Sequence, residues 1–172
     1  MLNVLILCTA NSARSILGEA ILNRVGERRF TAFSAGSHPR GVPNPRALEL
    51  LGNLGYPTAH LRSKSWDEFA AADAPKMDLV ITVCDSAAGE TCPYWPGAPL
   101  KAHWGIPDPA GAPDGIAGER AAFRLAHDRL LARMTALVAL PVEKMARDDL
   151  QRRLSAIATL EGATDKARQG DH

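Results

Sequence analysis

Seven consecutive residues near the start of the chain, Cys8-Thr9-Ala10-Asn11-Ser12-Ala13-Arg14, bring together a nucleophile, a run of backbone N–H groups and a guanidinium. They follow Val4-Leu5-Ile6-Leu7, a continuous apolar run of the kind carried by a strand buried on both faces, and they precede a helical pattern that starts near Arg14. A strand feeding a helix through such a turn gathers N–H groups and a helix N-terminus around one point, which makes a cradle for an anion. A cysteine in that field is expected to ionise readily, since thiols at helix N-termini or beside cations fall to pKa values of about 3.5 to 7.5. Arg14 adds a planar fork able to grip two oxygens of a tetrahedral oxyanion. Cys8 alone could equally be a small hydrophobe closing a strand. An arginine six positions later, at a strand-to-helix junction, favours chemistry.

Cys84 ends the run Leu79-Val80-Ile81-Thr82-Val83 just as Cys8 ends the first run. In a parallel sheet both thiols then lie on the carboxyl edge, where ligands bind at a topological switch point. Neighbouring strands are ~4.8 Å apart and a disulfide spans a Cα separation of about 4.4 to 6.8 Å, so a bond between Cys8 and Cys84 needs only modest loop movement. Cys92 lies eight residues further on. Were residues 85–91 helical, the rise to it would be ~12 Å, and a bond to Cys84 would require the segment to unwind. Asp85, Ser86, Gly89 and Thr91 make that segment a poor helix, with Gly89 alone costing up to ~1 kcal/mol. Two plainer arrangements stand beside this one. The three thiols with His103 could hold a structural zinc ion, although no C-x2-C pair is present, or Cys84 and Cys92 could be core cysteines of a hydrolase that uses Cys8 alone. Asp108-Pro109 sits in a Pro/Gly-rich loop over residues 106–115, where such a pair is ordinarily a turn. None of the five histidines shows metal-ligand spacing, His103 reads as a loop hydrogen-bonder, and no metal or cofactor is expected.

Positioning these groups falls to alternating strands and helices. Leu17, Ile21 and Val25 repeat every four residues and give the first helix an apolar face, with Gly26 near its end. Residues 30–35 read as a second strand closed by Gly36. Asn44-Pro45 is a cap residue followed by proline in the first helical position, and Gly55 marks the stop, which predicts a helix over residues 45–54. Residues 77–83 form the third strand and residues 100–104 a weaker fourth. Phe123, Ala126, Leu130, Met134 and Leu137 make a helical stripe over residues 119–140 that Pro141 ends. The alternation implies an α/β fold with a parallel sheet. Beyond Pro141, Ala146, Leu150, Leu154 and Ile157 share one helical face. They predict a C-terminal helical extension over residues 141–172 with a frayed tail, appended to a domain over residues 1–140.

With Ser15 added, Cys8-x5-Arg14-Ser15 at the end of the first strand resembles the phosphate loop of the low-molecular-weight tyrosine phosphatase family, and within it the arsenate reductase branch. The stretch Val83-Cys84-Asp85-Ser86-Ala87-Ala88-Gly89-Glu90-Thr91-Cys92-Pro93, then His103-Trp104-Gly105 and Asp108-Pro109-Ala110, is similar to the thiol-coupled arsenate reductases of that branch. The resemblance covers residues 1–140. It implies a flavodoxin-like α/β fold with a four-stranded parallel sheet and helices on both faces. It also implies that Thr9, Ala10, Asn11, Ser12, Ala13, Arg14 and Ser15 bind the oxyanion. Cys8 would be the nucleophile and Arg14 the clamp; Asn11 and Ser15 would brace the loop, with the Ser15 hydroxyl helping to hold Cys8 as a thiolate. Cys8 would attack arsenate, Cys84 would attack Cys8 as arsenite leaves, and Cys92 would attack Cys84, passing a disulfide to thioredoxin. Each exchange needs a thiolate in line with an accessible sulfur. Asp108 would protonate the departing oxygen. Glutathione or mycothiol with a glutaredoxin could use much of the same loop. Cys8, Arg14 and Asp108 alone would serve the alternative, a low-molecular-weight tyrosine phosphatase, and an oxyanion-binding or redox-sensing module without turnover is a third reading.

Two departures from the resemblance carry weight. Phosphatases of this fold place aromatic residues after the aspartate-proline pair and in the loop after the second strand, whereas Ala110-Gly111 and Ser37-His38-Pro39-Arg40-Gly41 stand here. Without those walls a small inorganic oxyanion is favoured over a phosphotyrosine. Some relatives hold potassium near the loop with an acidic side chain; Arg62-Ser63-Lys64-Ser65 stands in that stretch, where Lys64 could replace the ion's charge.

The 172 residues suffice for one core that buries about 70% of the unfolded surface. A net charge of +1 excludes a polyanion binder held by a global basic field, so any anion must be caught locally. Three cysteines are too few, and odd in number, for a secreted disulfide framework. The start lacks a basic leader, and no stretch approaches the ~18 apolar residues of a membrane span. A cytoplasmic protein with no nucleic-acid or membrane partner is expected.

Overall fold

Four strands form one parallel sheet in the computed structural model, which describes residues 1–170. β1 (Leu2–Leu7) pairs with β2 (Phe30–Ala35) on one side and β3 (Leu79–Thr82) on the other, and β3 pairs with β4 (Leu100–His103). The order β2-β1-β3-β4 reverses direction between β1 and β3, which is where an open α/β sheet leaves a crevice. Leu7 stands opposite both Ala35 and Thr82, so the strands on either side of β1 end level with it.

The helices are α1 (Arg14–Val25), α2 (Pro45–Asn53), α3 (Asp85–Gly89), α4 (Gly115–Val138), α5 (Arg147–Ala158) and α6 (Asp165–Gln169). The Asn44 side chain caps α2 by accepting from Arg46 N, as the Asn-Pro pair predicts. α4 begins four residues before the apolar stripe suggests. Its first turn holds two glycines and the exposed Ile116, and so carries no inward-facing signal.

Period-two alternation divides the sheet's side chains between two clusters. Val4, Ile6, Leu79 and Ile81 face the main core with residues of α1, α2, α4 and α5. Leu5, Leu7 and Val80 face a smaller cluster with Ala35, Phe69, Met77 and Trp95. The two faces are covered unequally. The long helices pack on the first, and a single 3-10 turn (Trp66–Phe69) with the Trp95 ring edge-on to Trp66 covers the second.

Side chains from both sides of Pro141 share the main core. Leu154, Ile157 and Ala158 of α5 are buried in it, Trp104 Nε1 donates to Leu154 O at 2.9 Å, and the buried Arg133 donates to the carbonyls of Leu160 and Glu161. The tail departs from the frayed end expected of it. Thr164 caps α6, and its hydroxyl donates to Asp85 Oδ1 at 2.7 Å while Thr164 N donates to Gly105 O at 3.0 Å. A polar composition conceals this docking, because Asp85 lies 79 positions away in the sequence and no local pattern reports such a contact. The part of the expected frayed end that falls on residues 171–172 lies outside the described residues.

Candidate active site

The loop between β1 and α1 is turned inside out by its surroundings. Carbonyls of Thr9, Ala10 and Ser12 accept outward bonds from the backbone N–H groups of His38, Arg40 and Asn44 at 2.9, 3.0 and 2.8 Å, and Ser63 Oγ donates to Ala10 O as well. A planar trans peptide whose C=O points outward directs the following N–H inward, so donors converge on the loop's centre. Asn11 is wholly buried at a φ of +43, a conformation asparagine tolerates better than most residues. Its Nδ2 donates to Ser15 Oγ at 2.8 Å and Ser34 Oγ at 3.0 Å, and its Oδ1 accepts from Lys64 N at 2.9 Å. Ser34 Oγ in turn donates to Glu19 Oε2 at 2.8 Å. Burial pushes the Glu19 carboxyl up and the Lys64 ammonium down, while the attraction between the two opposes both shifts.

Arg14, the first residue of α1, donates from Nη1 to Ile106 O at 2.9 Å and places Nη2 3.5 Å from Asp108 Oδ2. Asp108 is half exposed, and its Oδ1 accepts from Ala110 N. A cavity of ≈ 220 Å³ opens among Cys8, Arg14, Arg40, Cys84, Ser86 and Asp108. Four of the five expected catalytic residues therefore meet at the switch point.

Cys8 and Cys84 are both buried and line the same cavity, close enough for each to perturb the other. Cys84 Sγ also accepts from Thr9 N at 3.3 Å and, as N-cap of α3, from Ala87 N at 3.4 Å. The adjacent Cys8 thiol, those two N–H groups and Arg14 outweigh burial and bring Cys84 down to about 5. Its closeness to Cys84, burial and repulsion from the Cys84 thiolate push Cys8 up, and Arg14 with the Ala10 N–H does not reverse this. Ionisation of the two thiols is therefore coupled, and Arg14 favours a thiolate on either of them. Sequence spacing locates each thiol in a favourable field and cannot show that two such fields overlap. Ser15 Oγ accepts from Asn11, as a brace of the loop should, and keeps its own hydrogen free to donate.

These features together match a known family. Residues 3–152 fit the model of the low molecular weight phosphotyrosine protein phosphatase. The chain belongs to that family. It is 35% identical over 107 residues to arsenate reductase 2 of Staphylococcus epidermidis, spanning 62% of this chain and 78% of the relative. It is 33% identical over 124 residues to an arsenate reductase of Halalkalibacterium halodurans, spanning 72% and 86%. Among solved structures, the arsenate reductase of Archaeoglobus fulgidus aligns with a TM-score of 0.62 at 28% identity, over 80% of this chain and 99% of that one. The family match runs past Pro141 into α5, beyond the residues that the motifs alone cover.

Around this phosphatase-type loop the structure adds residues that sequence reasoning missed. Gly36 presses against the loop, and a Cβ there would lie 2.6 Å from Cys8 O and 2.9 Å from Asn11 N, so a glycine that reads only as a strand stop is what lets β2 approach. Ser34 and Glu19 carry the brace beneath Asn11. Their signal is weak, since neither belongs to the motif. Cys92 lies apart from the other two thiols. It packs against the cluster on the second sheet face, and its Sγ donates to Glu90 O. His103 bonds Thr82 Oγ1 and Asp85 Oδ1, both at 2.8 Å. Burial opposes charge on Asp85, but the bonds from Thr164 and His103 hold its carboxyl below the usual range. Among the described residues no metal-binding cluster of three or more His, Cys, Asp or Glu occurs, and no helix is long and apolar enough to cross a membrane.

Proposed function

We propose that this member of the family is an arsenate reductase that uses Cys8, Cys84 and Cys92 in series. One observation carries the reading. A second buried thiol lines the same cavity as the nucleophile and is supplied with two N–H donors of its own. Hydrolysis of a phosphate ester has no use for it, whereas reduction of an oxyanion by a pair of thiols requires it. The names of the relatives support the same conclusion.

The inward N–H groups of residues 10–15 and the Arg14 fork hold the arsenate oxygens, while the Thr9 N–H, expected among them, is given to Cys84. Cys8 Sγ bonds to arsenic, and one oxygen leaves as water with a proton from Asp108. Cys84 then bonds to Cys8 Sγ as the sulfur–arsenic bond breaks; the electron pair stays on arsenic, which passes from As(V) to As(III), while two thiols are oxidised to a disulfide. Cys92 attacks Cys84, releasing Cys8, after α3 comes apart. Cytosolic thioredoxin reduces the bond between Cys84 and Cys92. No cofactor is involved beyond these thiols.

Arsenate-dependent NADPH oxidation in the presence of thioredoxin and its reductase tests this directly, and its absence with every dithiol donor defeats the reading. Cys84→Ser and Cys92→Ser should abolish turnover while sparing hydrolysis of a small aryl phosphate. That spared activity is also what the second reading, a phosphatase using Cys8, Arg14 and Asp108, requires of the wild type, and the family match favours it. Loss of both activities in the serine variants counts against the relay.

A further inference from the structure

Glu90 lies on the segment between Cys84 and Cys92, and the relay gives it no task. Its carboxylate accepts from Thr9 Oγ1 at 3.0 Å through Oε1, while Oε2 is buried and meets no partner among the described residues. That oxygen has no protein donor and is left open to a further hydrogen bond or a proton. Thr9 Oγ1 is also 3.8 Å from Cys84 Sγ. A hydroxyl has one hydrogen, and this one is given to Glu90, so a Cys84 that takes up a proton can donate it only to the Thr9 oxygen. A continuous line of donors therefore runs from Cys84 through Thr9 to Glu90.

The chemistry of the proposed relay, on which this inference rests, has a use for that line. When the Cys8 thiol bonds to arsenic it gives up its proton; Cys84 lines the same cavity and is a base within reach, and a protonated Cys84 cannot attack. We propose that Glu90 accepts this proton through the Thr9 hydroxyl, freeing Cys84 for the second step. The Cys84 S–H proton moves to Thr9 Oγ1 as the Thr9 hydroxyl hydrogen moves to Glu90 Oε1. The electron pair stays on the Cys84 sulfur, which then bonds to Cys8 Sγ, and the Glu90 carboxyl later returns the proton to water. Other charged groups around this line are committed elsewhere: Arg14 to Ile106 O and Asp108, His103 to Thr82 and Asp85, and Lys166 of α6 to Asp85 O.

Glu90→Gln separates this role from that of a tether, because glutamine Oε1 still accepts from Thr9 but takes no proton. In a rapid-quench single turnover of reduced protein with arsenate and no thioredoxin, arsenite release by Glu90→Gln should slow roughly 10²-fold at pH 7. It should recover as the pH is raised towards 9, and Glu90→Asp should retain part of the rate. Affinity for inorganic phosphate, measured by calorimetry, should not change. A second arm uses the azo oxidant diamide to form the disulfide between Cys8 and Cys84, with the same loss and the same recovery at high pH. If wild-type protein releases no arsenite the arsenate reading fails, and the diamide arm still decides the role of Glu90. A wild-type rate and pH profile for Glu90→Gln in the diamide arm overturns the proposal. So does slowing at every pH together with lost phosphate affinity, which is the behaviour of a tether.

Discussion

Replacing Asn11 by alanine strikes the single side chain on which the loop depends, and the cost follows from its bonds. Three hydrogen bonds go, to Ser15, Ser34 and Lys64 N, each worth about 1 kcal/mol net in a buried setting. The φ of +43 adds a backbone penalty that alanine bears and asparagine largely escapes, about 1 kcal/mol. A loss of about 4 kcal/mol is expected, a large share of the ~5–15 kcal/mol that holds a domain together. At ~2–4 °C per kcal/mol for a chain of this size, Tm should fall by roughly 8–16 °C. Urea unfolding in phosphate-free buffer measures it. Asn11→Gly loses the same bonds without the backbone penalty. Even with glycine's larger loss of entropy it should be no less stable than Asn11→Ala, the reverse of the ranking in a helix. A cost below about 1 kcal/mol for alanine, or a glycine variant clearly less stable than the alanine one, would refute the assignment of Asn11 as the loop's keystone.

Two further outcomes follow from the thiol pair and from the C-terminus. Thiolate absorbance at 240 nm should show an ionisation below the ordinary thiol range, and Cys84→Ser should shift it. The folded value of Cys84 lies below its ordinary 9.0, so its contribution to stability is complete above about pH 9 and is lost as the pH falls through about 5. Cys8, raised above its ordinary value, contributes below about pH 9 and loses that contribution as the pH rises further. Urea midpoints of wild type against Cys84→Ser should diverge between pH 4.5 and 7.5, and parallel midpoints would contradict the assignment. Residues 1–140 alone should fail to fold. They lack Leu154 and Ile157, each worth about 2–5 kcal/mol in a core, and they strand Arg133 without the carbonyls of Leu160 and Glu161. A dispersed amide spectrum from that fragment would show the extension to be dispensable.

What the sequence reveals and what it hides divide along a physical line. Both buried strands, Val4 to Leu7 and Leu79 to Thr82, are continuous apolar runs, and each ends at its cysteine, so the edge that carries Cys8 and Cys84 can be read directly. Asn44 and Pro45 announce α2 by local backbone chemistry. Contacts between distant positions leave no such trace. Gly36 is a strand stop in sequence and a point of closest approach in space. Thr164 belongs to a polar tail and yet binds Asp85. The mutual perturbation of the two thiols belongs to the same class: each lies in a field that favours ionisation, and only their adjacency decides which of them carries the charge.

That adjacency also bears on where α3 gives way. The helix has five residues and few bonds of its own, but its ends are held very differently. Cys84 is fixed by Thr9 N and Ala87 N. Asp85 receives Thr164 and His103 on one carboxylate oxygen and Lys166 on its carbonyl, and Gly105 lies so close that a Cβ there would sit 2.5 Å from Asp85 Oδ1. Beyond Gly89 the segment is held by Glu90 to Thr9 and by the packing of Cys92 on the second sheet face. Local opening follows the path of fewest buried contacts and most exposed backbone bonds. It therefore begins after Asp85 and leaves Cys84 in place beside Cys8. The proposed relay requires Cys92, the thiol beyond that hinge, to travel, and protonation of Glu90 would weaken the side-chain bond that ties the travelling segment to the loop. In the proposed relay, the step that frees Cys84 to attack is then the same step that loosens Cys92 to follow.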